Sequence, residues 1–176
     1  MAAPIEIDVW QGEIAELEVD ALVVGATESL FMTAGPAASV KRIGGEEIER
    51  AAVEQGPIAP GGAVATGGGR LVAPYVLHAV AVGHDRVAEP GALAAATRAV
   101  LALAEPLQLR RIAIAPLSVE TGAFTAEESA AIMVPILREA AANGPLESIV
   151  LATAHASEAR ALLEAVHAAD AGASVS

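Results

Sequence analysis

Short segments that are apolar on both faces recur along this chain, and segments with a helical period separate them. The apolar segments that we expect to form inner strands are residues 21–26, 76–82, 112–115 and 149–152. A strand that is apolar on both faces must be covered on both sides, which is typical of parallel sheets. The alternation therefore predicts an α/β fold, with three α/β/α layers around a central mixed, mostly parallel sheet.

The remaining elements have weaker or more local signals. Residues 5–9 alternate apolar and polar side chains and predict a strand, and residues 63–66 predict another that ends at a run of three glycines. Helices are predicted to start at Pro36, Pro90 and Thr125, and a last one to cover 157–168. Proline suits a first helical position, and Thr125 with a glutamate three residues later forms a capping box. We expect Gly44 and Gly45 to interrupt the first helix and Pro135 to kink the third.

Length and charge exclude several classes of protein. The 176 residues predict one domain over 1–170, followed by a disordered tail over 171–176. The absence of cysteine excludes disulfides, thiolate metal sites and a cysteine nucleophile. A formal charge of −12 opposes binding to nucleic acid and to anionic membranes. With no signal peptide or membrane-spanning stretch apparent, we expect a cytoplasmic location.

The histidines give no metal or catalytic signature. His78 lies inside an apolar strand and is expected to be a buried core residue, while His84 and Asp85 form either a turn or an acid–base pair. No two histidines have the spacing of a helical zinc site, and the sequence contains no Walker motif and no nucleophile elbow. We therefore expect neither a metal nor a cofactor.

Ligands of open α/β sheets bind beyond the carboxyl ends of the strands. That rule narrows the search to four loops: 27–35, 83–89, 117–125 and 154–157. The first loop ends at a helix start, where free N–H groups and the helix dipole favour an anion. The loop over 117–125 offers the hydroxyls of Ser118 and Thr121. Both loops also fit a second interpretation, as ordinary connections between elements.

Several motifs resemble, in their order and spacing, those of the macro domain, the ADP-ribose-binding module. The segments that carry this resemblance are 11–14, 20–24, 34–45, 61–66, 75–80 and 118–124. The resemblance implies a macro-domain-like fold with two phosphate loops and an adenine-binding carboxylate at Glu13. The residues implied to contact the ligand are Glu13, Ile14, Thr27, Met32, Thr33, Ala34, Gly35, Ser118, Thr121, Gly122, Ala123 and Phe124.

The departures from the family pattern fall on this ligand site. Where ADP-ribose-processing members carry Asn-Ala-Ala-Asn, the chain reads Val-Gly-Ala-Thr over 24–27, and its one asparagine, Asn143, is predicted at the far end of a helix. Pro36 removes one backbone donor from the first phosphate loop, and Glu120 adds a negative charge to the second. We therefore expect weak ligand binding and no catalysis.

The sequence leaves more than one function open. The first is a module that binds ADP-ribose or a related small nucleotide, with an open cleft and the two phosphate loops about a diphosphate's width apart. The second is a domain that keeps the fold for protein interaction or for self-association as a homo-oligomer, with a blocked or acidic cleft and an exposed apolar patch. The third is an ADP-ribosyl hydrolase, which the missing asparagines disfavour.

Overall fold

The computed structural model describes residues 4–140 and 144–173, and within them six strands form one sheet in the order β1-β6-β5-β2-β4-β3. The strands are β1 (Glu6–Gln11), β2 (Ala21–Ala26), β3 (Ala63–Gly67), β4 (Tyr75–Val80), β5 (Arg111–Ile114) and β6 (Ser148–Thr153). Neighbouring strands are parallel except for β3, which pairs antiparallel with β4 at one edge. The four predicted inner strands are the inner strands, and the mixed, mostly parallel sheet is confirmed.

In the described part of the chain, four helices connect the strands and a fifth follows the last strand. They are α1 (Gly35–Gly44), α2 (Glu46–Val53), α3 (Pro90–Ala104), α4 (Ala126–Glu139) and α5 (Ala156–Ala173), with a single 3₁₀ turn at Ile14–Glu16 after β1. Thr125 Oγ1 accepts a hydrogen bond from the Glu128 N–H over 3.1 Å, and the Thr125 N–H donates to Oε1 of Glu128 over 3.2 Å. The predicted capping box is therefore present. None of the described helices is long and apolar enough to cross a membrane.

The interruption expected at Gly44 and Gly45 is present, the kink expected at Pro135 stays a prediction, and the end of the last helix differs from the expectation. The first predicted helix is two helices, because Gly45 has φ 113°, a conformation that ends α1 before α2 begins. Helix α4 continues through Pro135. Helix α5 runs to Ala173, past the predicted end at residue 168 and into the segment expected to be a disordered tail. Residues 174–176 and Asn143 lie outside the described residues.

The two faces of the sheet are covered by different helices. Inward residues of α3, α4 and α5, such as Leu93, Met133 and Leu162, pack against one face. Val40 of α1 and Ile48 of α2 pack against the other. Strand β2 contributes to both sides, with its successive residues alternating between the two clusters of buried side chains. This arrangement is the three-layer α/β/α fold that the alternation predicts.

His78 is a buried residue of β4, as expected for a core histidine. It has no exposed surface, and its Nε2 lies 2.9 Å from the Thr66 hydroxyl of the neighbouring strand. Its Nδ1 has no hydrogen-bond partner among the described residues. Burial lowers the pKa of His78 from 6.5 to about 4, because the apolar surroundings disfavour the charged ring.

This buried imidazole should make the fold sensitive to acid. The unfolded chain takes up a proton at His78 below pH 6.5 and the folded chain only near pH 4. The free energy of unfolding should therefore fall as the pH is lowered from 6.5 to 4. The shift corresponds to about 3 kcal/mol. We expect urea unfolding of His78→Gln to lose less stability between pH 7 and pH 4.5 than the wild type loses. The exposed-histidine variant His84→Gln should behave like the wild type, and equal losses in all three would contradict this account.

Gly68, in the turn between β3 and β4, has no room for a side chain. A Cβ at this position would lie 1.9 Å from the carbonyl oxygen of Ala73, which is backbone and cannot rotate away. A Cβ built on Gly67, the preceding residue, would have no heavy atom within 4 Å beyond its chain neighbours. We expect Gly68→Ala to lower the free energy of unfolding by about 2 kcal/mol or more, and Gly67→Ala by no more than about 0.5 kcal/mol. Similar unfolding curves for the two variants would contradict the tight turn.

Candidate functional site

A cleft of about 330 Å³ lies at the carboxyl ends of β1, β6, β5 and β2. It is built from the turn after β1 and from three of the four loops selected from the sequence. Its lining residues are Gly12, Glu13, Ile14, Gly35, Pro36, Ser39, Pro116, Val119, Glu120, Ala152, Thr153, Ala154, His155 and Glu158. The fourth loop, 83–89, lines a separate pocket of about 240 Å³.

One end of the cleft is defined by Glu13, which follows β1. Its carboxylate accepts a hydrogen bond from the hydroxyl of Ser39 on α1. Ser39 in turn accepts from Nη2 of the exposed Arg42 over 3.3 Å. Ile14 is buried beside it and anchors the 3₁₀ turn in the core. The carboxylate is therefore held in place at one end of the cleft, where it can accept a hydrogen bond from an amino group.

The centre of the cleft is occupied by the side chain of Glu120. A Cβ placed on Gly35 would lie 2.7 Å from the Cβ of Glu120, and one placed on Gly25 would lie 2.8 Å from its Oε1. The Glu120 side chain therefore fills space between the two predicted phosphate loops, which departs from the open cleft of the first candidate function and agrees with the acidic cleft of the second. Glu120 lies where the resemblance places the phosphates.

The carboxylate of Glu120 is partly removed from water. Burial raises the pKa of Glu120, a backbone hydrogen bond opposes that rise, and the carboxylate of Glu158 adds to it. Glu158, in the first turn of α5, accepts a hydrogen bond from the Thr153 hydroxyl. That hydroxyl also accepts from the His155 N–H over 3.1 Å. Three carboxylates thus line the cleft, while no Lys or Arg among the described residues does.

Of the twelve residues that the resemblance implies, Glu13, Ile14 and Gly35 line the cleft. The nine that lie outside its lining are Thr27, Met32, Thr33, Ala34, Ser118, Thr121, Gly122, Ala123 and Phe124. Their ligand contacts stay a prediction.

Local contacts explain why several of the nine do not face the cleft. Phe124 is buried in the core against α4, and Ser118 is buried with φ 65° at the start of its turn. The Thr121 hydroxyl donates to the Ser118 carbonyl over 2.9 Å. Met32 is buried, and its N–H donates to Oε2 of Glu49 over 2.7 Å. The Met32 amide, which could have donated to an anion, is therefore already hydrogen-bonded to Glu49. Thr33 lines a different groove, beside Lys41.

The residues that sequence reasoning missed are on the far side of the cleft. The loop 154–157 was selected from the sequence and does line the cleft, yet no residue in it was assigned a role. Thr153 and Glu158, which flank that loop, contribute polar side chains to this side of the cleft. Glu158 follows Thr153 by five residues, not by the three of a capping box, so no local motif marked this pair.

The pair of His84 and Asp85 forms a turn. Asp85 Oδ1 accepts from the Val87 N–H over 3.2 Å, and the Arg86 N–H donates to the Gly83 carbonyl. His84 Nε2 lies 3.5 Å from Oε2 of Glu28, and both side chains are partly exposed. In the described part of the chain, no cluster of three His, Asp or Glu residues is arranged to hold a metal ion.

The fold and its cleft define a class: a three-layer α/β/α domain with a cleft at the carboxyl edge of its sheet. The family model described as Macro domain matches residues 23–133. The chain belongs to the macro domain family.

Relatives and solved structures agree with this assignment. A macro domain-containing protein of Cupriavidus necator is 38% identical over 146 residues, covering 79% of this chain and 84% of the relative. An uncharacterised protein of Mycobacterium tuberculosis is 32% identical over 166 residues, and this chain spans 46% of its length. The Trypanosoma brucei macrodomain in complex with ADP-ribose superposes with a TM-score of 0.84 at 23% identity, over 92% of this chain and 69% of that one. An Oceanobacillus iheyensis macrodomain with ADP gives a TM-score of 0.83 at 19% identity, over 96% and 95%.

Proposed function

We propose that this chain binds ADP-ribose or a related adenine nucleotide, weakly and without catalysis, in the cleft between Glu13 and Glu158. The observation that carries the proposal is the placement of a fixed carboxylate, Glu13, at one end of a cleft on the carboxyl edge of the sheet. Ligands of open α/β sheets lie at this edge. Macrodomains of the same fold have been crystallised with ADP-ribose and with ADP.

The proposed binding mode assigns opposite contributions to the two ends of the site. Glu13 accepts from the adenine amino group, and the small residues around Gly35 let the ligand approach the start of α1. Glu120 weakens the binding of phosphates by its charge and by the space that it fills. Pro36 weakens it further, since proline has no N–H to donate. The result is a dissociation constant for ADP-ribose of about tens of micromolar or poorer.

The test is a calorimetric titration of wild type, Glu13→Ala and Glu16→Ala with ADP-ribose. Hydrogen bonds to charged groups contribute about 1.5–3 kcal/mol, so Glu13→Ala should bind at least about tenfold more weakly. Glu16 is an exposed carboxylate on the same 3₁₀ turn outside the cleft lining, so its removal should leave the affinity unchanged. Equal affinities of all three proteins would show that adenine does not use Glu13.

The acidic and partly filled cleft also favours a second candidate, a domain that keeps the fold for association with a protein. Its large exposed apolar side chains are Phe31, Val72, Val87 and Leu163, which belong to four separate segments. Sedimentation velocity over a range of concentrations tests self-association. A concentration-dependent dimer, together with the absence of nucleotide binding, would favour this candidate over the first.

A further inference from the structure

The charges that line the cleft weaken the binding of an anionic ligand. Glu13, Glu120 and Glu158 line it together with His155, and no Lys or Arg in residues 4–140 and 144–173 does. The cation at its rim, Arg42, is exposed and is bonded to Ser39 at the Glu13 end, where an uncharged base would lie. A diphosphate in the centre would therefore face like charges, with no Lys or Arg of the described residues in the lining to offset them.

Two helices begin at this cleft, and each already has a carboxylate at its start. Helix α1 begins at Gly35, against which the Glu120 side chain packs. Helix α5 begins at Ala156, and Glu158 lies in its first turn and in the cleft lining. A helix start attracts negative charge because its N–H groups are unpaired and its dipole is positive there. The chain's own carboxylates supply that charge and leave less attraction for the charge of a ligand.

We propose that this cleft selects adenosine-type ligands with a neutral or cationic group in the place where ADP-ribose carries its diphosphate. The inference rests on the proposed function, because it concerns the same cleft and the same adenine end. It goes beyond that function by naming the charge of the preferred ligand. Glu120 and Glu158 are the residues that set this preference, through their charges and through the space that Glu120 fills between Gly35 and Gly25.

A ligand series that differs only at the 5′ position tests the proposal. Wild-type protein is titrated at pH 7 with 5′-amino-5′-deoxyadenosine, adenosine, AMP and ADP. We expect affinity to fall in that order, with at least about a tenfold difference between the amine and ADP. The titrations are repeated at about 0.05 M and about 0.5 M salt, because salt screens charges. Added salt should strengthen the binding of ADP and weaken the binding of the amine. The affinity for adenosine, the matched neutral control, should not change.

The outcomes separate this proposal from the one on which it rests. Tighter binding of ADP than of adenosine, weakened by salt, would overturn the charge preference and leave a conventional nucleotide-binding cleft. Binding of adenosine and of the amine, with ADP the weakest ligand, would support both proposals. Failure of all four compounds to bind would overturn the adenine-binding function together with the charge preference.

Discussion

The variant Glu120→Gln is expected to bind ADP-ribose about tenfold more tightly than the wild type. The Glu120 carboxylate lies between the two loops that would enclose the phosphates, and a unit charge there costs about 1 kcal/mol or more against an anionic ligand. Glutamine has nearly the same shape and no charge, so it removes the repulsion without opening a cavity. Calorimetric titration of both proteins measures the difference, since about 1.4 kcal/mol corresponds to a factor of ten.

The matched control for this substitution is Glu164→Gln. Glu164 is an exposed residue of α5 that lines a groove against α4, outside the cleft lining. The control removes one negative charge, as Glu120→Gln does, but outside the cleft. ADP-ribose binding should stay unchanged in the control, because salt screens charges that are far from the ligand. Tight wild-type binding that Glu120→Gln does not improve would mean that the Glu120 side chain moves out of the cleft when a ligand binds.

We expect negligible release of ADP-ribose from ADP-ribosylated protein. The resemblance places the groups that orient the distal ribose and its attacking water at the end of β2, where this chain has Val24, Gly25, Ala26 and Thr27. Val24 is fully buried and apolar, and Thr27 offers a single hydroxyl that lies 3.4 Å from that of Ser29. Turnover should therefore lie orders of magnitude below the ~1 per second of an ordinary enzyme.

The hydrolysis assay is best run on the wild type and on Glu120→Gln side by side. If the variant binds ADP-ribose more tightly and still releases none, weak binding is excluded as the reason for the inactivity. Measurable turnover in either protein would contradict the expectation. The variant His84→Gln would then test the pocket over 83–89 as the source of the activity, because His84 Nε2 lies there 3.5 Å from Oε2 of Glu28.

Much of the fold could be predicted because its signals are local. Strand β2 is apolar on both faces, and that alone placed it in the interior of a parallel sheet. The capping box at Thr125 satisfies its own hydrogen bonds within one helical turn, so it could be recognised before any tertiary contact was known. His78 was interpreted as a core residue from its apolar neighbours in β4 alone.

The site was harder to predict because its geometry depends on distant contacts. Met32 is adjacent to the first phosphate loop, but its N–H is bonded to Glu49, which is seventeen residues away on α2. Glu120 was recognised as a charge near the phosphates, yet its packing against Gly35 depends on how two loops approach each other in space. Thr153 and Glu158 are joined across the start of α5 and have no motif of their own in the family pattern.

The most direct test of the central claim, an adenine-nucleotide site between Glu13 and Glu158, is a titration of isotope-labelled protein with ADP-ribose followed by backbone amide chemical shifts. The account predicts that the shifts concentrate on residues 12–14, 35–39, 119–120 and 152–158, which surround the cleft. It also predicts small shifts in the basic groove that contains Lys41 and Arg70. Shifts centred on that groove, or no shifts at millimolar ADP-ribose, would contradict the assignment of this cleft as the nucleotide site.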